Sequence, residues 1–150
     1  MCIRDSFRIL DWCDLNREEF HDFLKLRIDV FVVEQNCTYQ ELDGKDEHSI
    51  HVYKYNSEGV EAYLRIVKPG VSYDEPSIGR VATVKSSRNK GLGKEIMRIA
   101  LKECDSRWPN QGVRISAQKY LVKFYEDMGF KVCSEPYLED DIPHVQMYKA

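Results

Sequence analysis

Hydrophobic residues at helical spacing indicate three helices in this chain. From residue 17 to about residue 33, apolar side chains recur every three or four positions, and Asn16 with Glu19 has the spacing of an N-terminal capping box. A second helix is predicted from Leu92 to about Glu103, and a third from about residue 121 to 128. Gly129 follows the third helix, where a left-handed residue typically ends a helix.

Seven segments have the alternating or β-branched patterns of strands. They are residues 7–12, 49–55, 60–68, 78–84, 113–117, 130–134 and 144–148. A turn at residues 56–59 makes the second and third strands a hairpin, and an acidic loop at residues 139–141 separates the last two. The resulting order, β-α-β-β-β-α-β-α-β-β, predicts an α/β fold with a mixed sheet.

Length and charge narrow the class of protein. The 150 residues, 43% of them hydrophobic, suit one domain at residues 7–150, with residues 1–6 expected to be an unstructured or non-functional start. No apolar run is long enough for a membrane span or a signal peptide, which favours a cytoplasmic protein without a membrane partner. The net charge of −3 argues against a general nucleic-acid binder. The oligomeric state stays open.

A basic loop with two glycines joins the fourth predicted strand to the second predicted helix. Such a connection directs backbone N–H groups and the positive end of a helix toward one place, where a phosphate or pyrophosphate can bind. Its glycines and principal cations are Arg88, Lys90, Gly91, Gly93 and Lys94. From the spacing alone, a tight turn with solvated cations is the alternative.

Two common phosphate-binding loops do not fit these residues. A Walker loop needs glycine and a hydroxyl residue where this chain has Arg88 and Glu95, and a dinucleotide-binding loop needs glycine at Ile96. The remaining pattern, Arg88-x-x-Gly91-x-Gly93, resembles the acetyl-CoA pyrophosphate loop of the GNAT superfamily of N-acetyltransferases.

A second block strengthens this resemblance. The strand at residues 113–117 and the sequence Phe-Tyr-Glu-Asp-Met-Gly-Phe at residues 124–130 resemble the second conserved block of the superfamily. Residues 26–35, 39–43, 116–118 and 141–144 are similar to its ElaA-like branch. The resemblance covers essentially everything after residue 6. It implies the GNAT acyl-CoA N-acyltransferase fold, acetyl-CoA as co-substrate, and a small-molecule or peptide amine as acceptor.

The resemblance also implies roles for individual residues. The strand before the loop would hold the pantetheine arm and the thioester carbonyl, and the loop amides would bind the pyrophosphate. The cofactor-binding positions are then Ala82, Thr83, Val84, Arg88, Asn89, Lys90, Gly91, Leu92, Gly93, Lys94 and Tyr125. Tyr125 matches the general acid that protonates the departing CoA thiolate after direct attack by a neutral amine.

The general base is left open by the resemblance. Family members often have a glutamate in the strand before the phosphate loop, but residues 78–84 contain none. The candidates are Glu34, Glu41, Asp43 and His144, each of which could instead be a structural group. A non-catalytic module of the same fold that binds CoA or a nucleotide is therefore the alternative function, and an acyltransferase for longer acyl-CoA is also open.

A metal site is not expected. His48 and His51 lie near several acidic residues, but at the start of a predicted strand their i,i+3 spacing directs them to opposite faces. A structural metal site needs several ligands converging on one point. The sequence therefore predicts chemistry without a metal.

Overall fold

The computed structural model describes residues 7–150, which form three α-helices and eight strands. The helices are α1 (Arg17–Ile28), α2 (Leu92–Arg107) and α3 (Val122–Glu126). The strands are β1 (Arg8–Asp11), β2 (Ser49–Asn56), β3 (Gly59–Val67), β4 (Ser77–Thr83), β5 (Val113–Gln118), β6 (Lys131–Val132), β7 (Tyr137–Glu139) and β8 (Ile142–Lys149). The expectation for residues 1–6 concerns a segment outside the described residues. No helix in the described range is long and apolar enough to cross a membrane.

The predicted α/β fold class is confirmed, and the order of elements gains one strand. β7 and β8 form a hairpin where the sequence predicted an acidic loop at residues 139–141. Its turn residues Asp140 and Asp141 have φ angles of 52° and 62°, as in a tight two-residue hairpin turn. β7 was missed because it has only three residues and none of them is buried, so no alternating pattern marks it.

The strands form two antiparallel sheets instead of one mixed sheet. The first has the order β1-β2-β3-β4, and the second has the order β5-β8-β6 with β7 also paired to β8. Near their starts β4 and β5 are joined by a backbone hydrogen bond, in which Arg114 N–H donates to the Pro76 carbonyl at 3.1 Å. Beyond this point the two strands share no ladder, and a cleft lies between them.

Helices cover both faces of the first sheet. On one face, α2 buries Ile96 in the same apolar cluster as Leu64. On the other face, α1 packs Phe23 against Tyr53 and Tyr63, with ring centroids 5.3 Å and 4.5 Å away. The two faces therefore bury separate sets of side chains, and the cleft begins where the first sheet ends at β4.

The long first helix has the predicted extent but changes geometry along its length. Asn16 Oδ1 accepts a hydrogen bond from Glu19 N–H at 2.8 Å, as the cap spacing predicted. After Ile28 the backbone widens into a π-helix at Asp29–Glu34. Such wider turns are frequent at functional sites. Here the π-helix contributes Phe31 to the lining of the cleft.

Candidate functional site

Two adjoining cavities occupy the cleft between the sheets. The loop cavity, about 300 Å³, lies among the end of β4, the phosphate loop, α3 and the π-helix. The hairpin cavity, about 440 Å³, lies between β4 with residues 37–45 on one side and β5 with the β7–β8 hairpin on the other. Both are lined by Phe31, Gln35, Val81, Gln118, Leu121 and Tyr125. A molecule in one cavity therefore reaches a molecule in the other at these side chains.

The phosphate loop ends in an uncapped helix. Gly91, with φ 74°, precedes α2, and no side chain of the described residues caps this helix. The first-turn amides of an α-helix have no partner within the helix, so those of Leu92, Gly93 and Lys94 are directed outward. A Cβ atom at Gly91 would meet nothing within 4 Å, so its left-handed backbone, not crowding, favours glycine here. The loop thus directs backbone donors outward, and its binding of a phosphate or pyrophosphate stays a prediction.

Arg88 is held by one of the candidate bases. Its guanidinium donates to both carboxylate oxygens of Glu34, at 2.6 and 2.8 Å, and also to the Thr83 carbonyl at 3.1 and 3.3 Å. The hydrogen bonds from Arg88 hold the pKa of Glu34 below its ordinary value. Two predicted site residues therefore form one ion pair, in which Glu34 is a poor proton acceptor and Arg88 is already engaged.

A β-bulge interrupts β4 where the cavities meet. The register with β3 shifts between Tyr63 and Arg65, so that two β4 residues, Arg80 and Val81, lie opposite one residue of β3. Arg80 has φ 54°, a left-handed conformation that is uncommon for a residue with a side chain. A bulge redirects the strand and its backbone groups, and bulges are common beside active sites.

Beyond the bulge, Thr83 directs its backbone into the cleft. Val84 N–H donates to the Glu61 carbonyl at 2.9 Å, toward β3. Because successive backbone groups of a strand point to opposite edges, Ala82 also faces β3 and Thr83 faces away from it. The hydrogen bond that the Thr83 carbonyl accepts from Arg88 agrees with this direction. Of the three predicted strand positions, Thr83 thus presents its amide to the cleft.

Tyr125 lies at the junction of the two cavities. The residue is 9% exposed, and its ring packs edge-on against Phe124 and Phe130. Burial raises the pKa of its phenol to about 12, so the hydroxyl is protonated at neutral pH. That hydroxyl has no hydrogen-bond partner in the described part of the chain, which leaves its proton available to a ligand in the cleft.

Glu41 and Asp43, two further candidate bases, are bound by guanidinium groups. Glu41 is buried and accepts hydrogen bonds from Arg27 at 2.8 Å and from Arg80 at 2.8 and 3.0 Å. Asp43 accepts two from Arg65, at 2.5 and 2.9 Å. Burial alone would raise the pKa of Asp43, but the hydrogen bonds and charge of Arg65 hold it well below its ordinary value. Both carboxylates are therefore structural partners of arginines.

His144 differs from the other candidates because no guanidinium binds it. The residue is 6% exposed and lines the hairpin cavity. Its Nδ1 lies 2.6 Å from the Ile142 carbonyl, which can only accept, so Nδ1 carries the proton. Nε2 is then the atom able to take up a proton, and it lies 3.4 Å from Glu139 Oε2. The hairpin that the sequence pattern missed thus positions a candidate base.

The arginine network itself was not predicted from the sequence. Arg27 and Arg65 are 0% and 4% exposed, and both donate to Asp46, at 2.8 and 3.1 Å. A signal was present, because Arg65 stands between Leu64 and Ile66 in the apolar second half of β3. A charge at such a position requires a buried partner.

His48 and His51, the histidines considered as metal ligands, do not form part of a metal-binding group in the described residues. His51 is buried, with Nδ1 2.7 Å from the Tyr63 hydroxyl and Nε2 2.9 Å from the Asp46 carbonyl, so both ring nitrogens have protein partners. Within residues 7–150, no three His, Cys, Asp or Glu side chains are grouped to hold a metal ion.

Comparison with known proteins places this chain in an acetyltransferase family. Residues 14–150 match the family model described as an acetyltransferase (GNAT) domain. An acyl-CoA N-acyltransferase structure from Pseudomonas aeruginosa superimposes with a TM-score of 0.92 at 38% identity, covering 97% of this chain and 99% of that one.

Two further relatives are similar over most of their length. Protein ElaA of Escherichia coli (strain K12) is 36% identical over 93% of this chain and 95% of its own, and an E. coli ElaA crystal structure gives a TM-score of 0.90 at 34% identity, covering 97% of this chain and 99% of that one. The uncharacterized N-acetyltransferase YjcF of Bacillus subtilis (strain 168) is 34% identical over 89% of this chain and 94% of its own.

Proposed function

Because this chain belongs to the acetyltransferase (GNAT) domain family, we propose that it transfers an acetyl group from acetyl-CoA to a primary amine. The observation that carries the proposal is the meeting of the loop cavity and the hairpin cavity at Tyr125. One cavity extends from an uncapped helix that suits a pyrophosphate, and the other contains a candidate base. The thioester and the amine can then meet beside a protonated phenol.

The residues around this junction divide the chemistry among them. The thioester of acetyl-CoA supplies the acetyl group. The Thr83 amide is placed to donate a hydrogen bond to the thioester carbonyl, on which negative charge develops. His144 Nε2 takes the proton that the attacking amine must lose, and Tyr125 donates a proton to the departing thiolate. One amide bond forms, one thioester bond breaks, and CoA leaves as a neutral thiol.

The pyrophosphate site is tested by filling it. Gly91→Glu adds a negative charge and a side chain in a left-handed conformation, so we expect no measurable binding of CoA by titration calorimetry. Gly70→Glu is the matched control, because Gly70 also has a left-handed backbone, with φ 86°, and open space within 4 Å but lies outside the loop. Equal CoA affinity of both variants would contradict the proposed site.

The role of Tyr125 is tested separately from binding. Tyr125→Phe removes the acidic proton and keeps the packed ring, so we expect CoA affinity within about twofold of the unsubstituted protein and turnover lower by about 100-fold. Turnover is measured as thiol release with a panel of amines. Unchanged turnover in this variant would exclude Tyr125 as the general acid.

The non-catalytic alternative is supported by one observation, since Glu34, Glu41 and Asp43 are all bound by arginines. A binding module would be stabilised by CoA but release no thiol with any amine. Thiol release that depends on both the amine and His144 would exclude this alternative.

A further inference from the structure

The hairpin cavity has two walls of opposite character. One wall comes from β3, β4 and residues 39–45, and contributes Lys45, Arg65 and Arg80. The other comes from β5 and the β7–β8 hairpin, and contributes Glu139 and His144. Asp43 also lines the first wall, where it is bound by Arg65 and Arg80. A ligand that spans the cavity therefore meets an excess of positive charge on one side and of negative charge on the other.

The donor wall has a donor without a partner. Among residues 7–150, Arg65 Nε is the only side-chain nitrogen or oxygen that is itself inaccessible to solvent and makes no hydrogen bond. Its residue is 4% exposed, and its terminal nitrogens already donate to Asp43 and Asp46. Buried polar groups are nearly always satisfied, so this unpaired N–H leaves part of the Arg65 charge uncompensated next to the cavity that the residue lines.

Space for an acceptor group of a ligand lies directly across the β3–β4 strand pair from Arg65. Gly79 is the β4 partner of Arg65 in the β3–β4 register, and it lines the same cavity. A Cβ atom built on Gly79 meets nothing within 4 Å. Cross-strand neighbours are about 5 Å apart, so an atom occupying this space would lie beside the Arg65 side chain.

The charges of the two walls are complementary to a zwitterion. The guanidinium groups of Arg27, Arg65 and Arg80 are balanced by three carboxylates, while Lys45 makes no ion pair within the described range. On the other wall, Glu139 and Asp140 have no Lys or Arg partner in that range. An ammonium would be attracted to the hairpin. An anion would be attracted to the opposite wall, formed by β3, β4 and residues 39–45, which we call the arginine wall.

We propose that the acceptor is a small molecule carrying a carboxylate beside its primary amine, as a free amino acid does. This assignment rests on the proposed acetyl transfer and names the substrate class of that site. The carboxylate occupies the space over Gly79, beside the Arg65 side chain, and is attracted by the charges of Arg65 and Lys45. The amine lies toward His144, which removes its proton before attack on the thioester.

The test compares acceptors that differ only in the carboxylate. Each amino acid is assayed beside its amide and its decarboxylated amine, for example lysine, lysinamide and cadaverine. Because the carboxylate is attracted by Lys45 and Arg65, we expect kcat/KM about tenfold higher for the carboxylate form of the preferred acceptor, equivalent to about 1.4 kcal/mol. Amides or simple amines that react as fast across the panel would overturn the assignment.

Two variants locate the carboxylate. Lys45→Gln is expected to raise KM for the carboxylate acceptor severalfold with little change for its amide, while Lys102→Gln, an equal charge change on the exposed side of α2, changes neither. Gly79→Val fills the proposed space in a strand that tolerates β-branched residues, so it removes the preference for the carboxylate and leaves acetyl-CoA affinity unchanged. A preference that survives Gly79→Val would contradict the position.

The results separate the two proposals. Thiol release with simple amines but without a carboxylate preference overturns the acceptor assignment and keeps acetyl transfer. Absence of thiol release with every acceptor, in protein that is folded and binds acetyl-CoA, overturns acetyl transfer itself.

Discussion

The two walls of the hairpin cavity hold their carboxylates in contrasting surroundings. On the arginine wall, formed by β3, β4 and residues 39–45, Glu41 and Asp43 are each bound by two guanidinium groups. On the β7–β8 hairpin, Glu139 is half exposed and lies 3.4 Å from His144 Nε2, with no Lys or Arg partner within the described residues. The comparison shows that the partners of a carboxylate near the site indicate whether it has a structural role or is available for proton transfer. The arginine wall provides rigidity, and the hairpin positions His144, the candidate base that no guanidinium binds.

The largest effect is expected on the free energy of unfolding, from removal of the buried Arg27 guanidinium. Arg27→Met removes one of the two guanidinium groups that bind each of Glu41 and Asp46, and breaking a buried ion pair costs about 3–5 kcal/mol of the free energy of unfolding. Denaturant unfolding measures the change. Lys25→Met is the control on the same helix, because the Lys25–Asp29 pair is exposed. A midpoint for Arg27→Met equal to that of the control would contradict a structural role for this wall.

The next-largest effect is expected on kcat. It separates the proposed role of His144 in proton transfer from the role of Asp43 in stabilising the fold. His144→Gln keeps a polar side chain but removes the base, so we expect kcat to fall by about 100-fold, or about 2.7 kcal/mol, with an unchanged KM for acetyl-CoA. Asp43→Asn is expected to lower the unfolding midpoint and to leave kcat much closer to that of the unsubstituted protein. His48→Gln, on an exposed side chain, is the control. A larger loss of kcat in folded Asp43→Asn would reverse the assignment of the two walls.

The smallest effect is an acid-dependent loss of stability on the arginine wall. Burial acts to raise the pKa values of Asp43 and Asp46, but arginines hold both below the ordinary value in the folded protein. Their stabilisation is therefore present above the unfolded pKa of about 3.9 and is lost as the pH falls toward the folded values. We expect about 1 kcal/mol per carboxylate to be lost between pH 5 and pH 3, measured by denaturant unfolding. Arg65→Met should flatten this dependence; equal slopes in both proteins would contradict it.

Local patterns predicted the parts of the site that are local in the chain. The start of α2 after Gly91 was predictable because the two are adjacent in sequence, and the Asn16 cap was predictable for the same reason. That this loop binds a phosphate stays a prediction. The β2–β3 hairpin and the apolar face of α2 also follow from short-range periodicity. Glycine and capping residues carry their structural reason within a few positions, so one sequence suffices.

Partners distant in sequence were not predictable in the same way. Arg80 binds Glu41 across 39 positions, and Arg88 binds Glu34 across 54. Nothing in the local pattern distinguishes these carboxylates from free ones, so all four candidate bases looked alike from the sequence. His144 was named without its surroundings, because the short β7 strand that places Glu139 beside it has no buried residue.

The separation of β4 from β5 has a consequence for aggregation. Where two strands part, each exposes an edge of unpaired backbone groups, and such edges can pair with strands of another molecule. Proteins usually protect edges with charged residues, proline or bulges. Here the two edges face one another across the cleft, beneath side chains of the π-helix and of the segment around α3, including Phe31 and Phe124. The cleft thus separates β4 from β5 but keeps their edges turned toward one another. This arrangement lowers the risk that either edge pairs with a strand of another molecule.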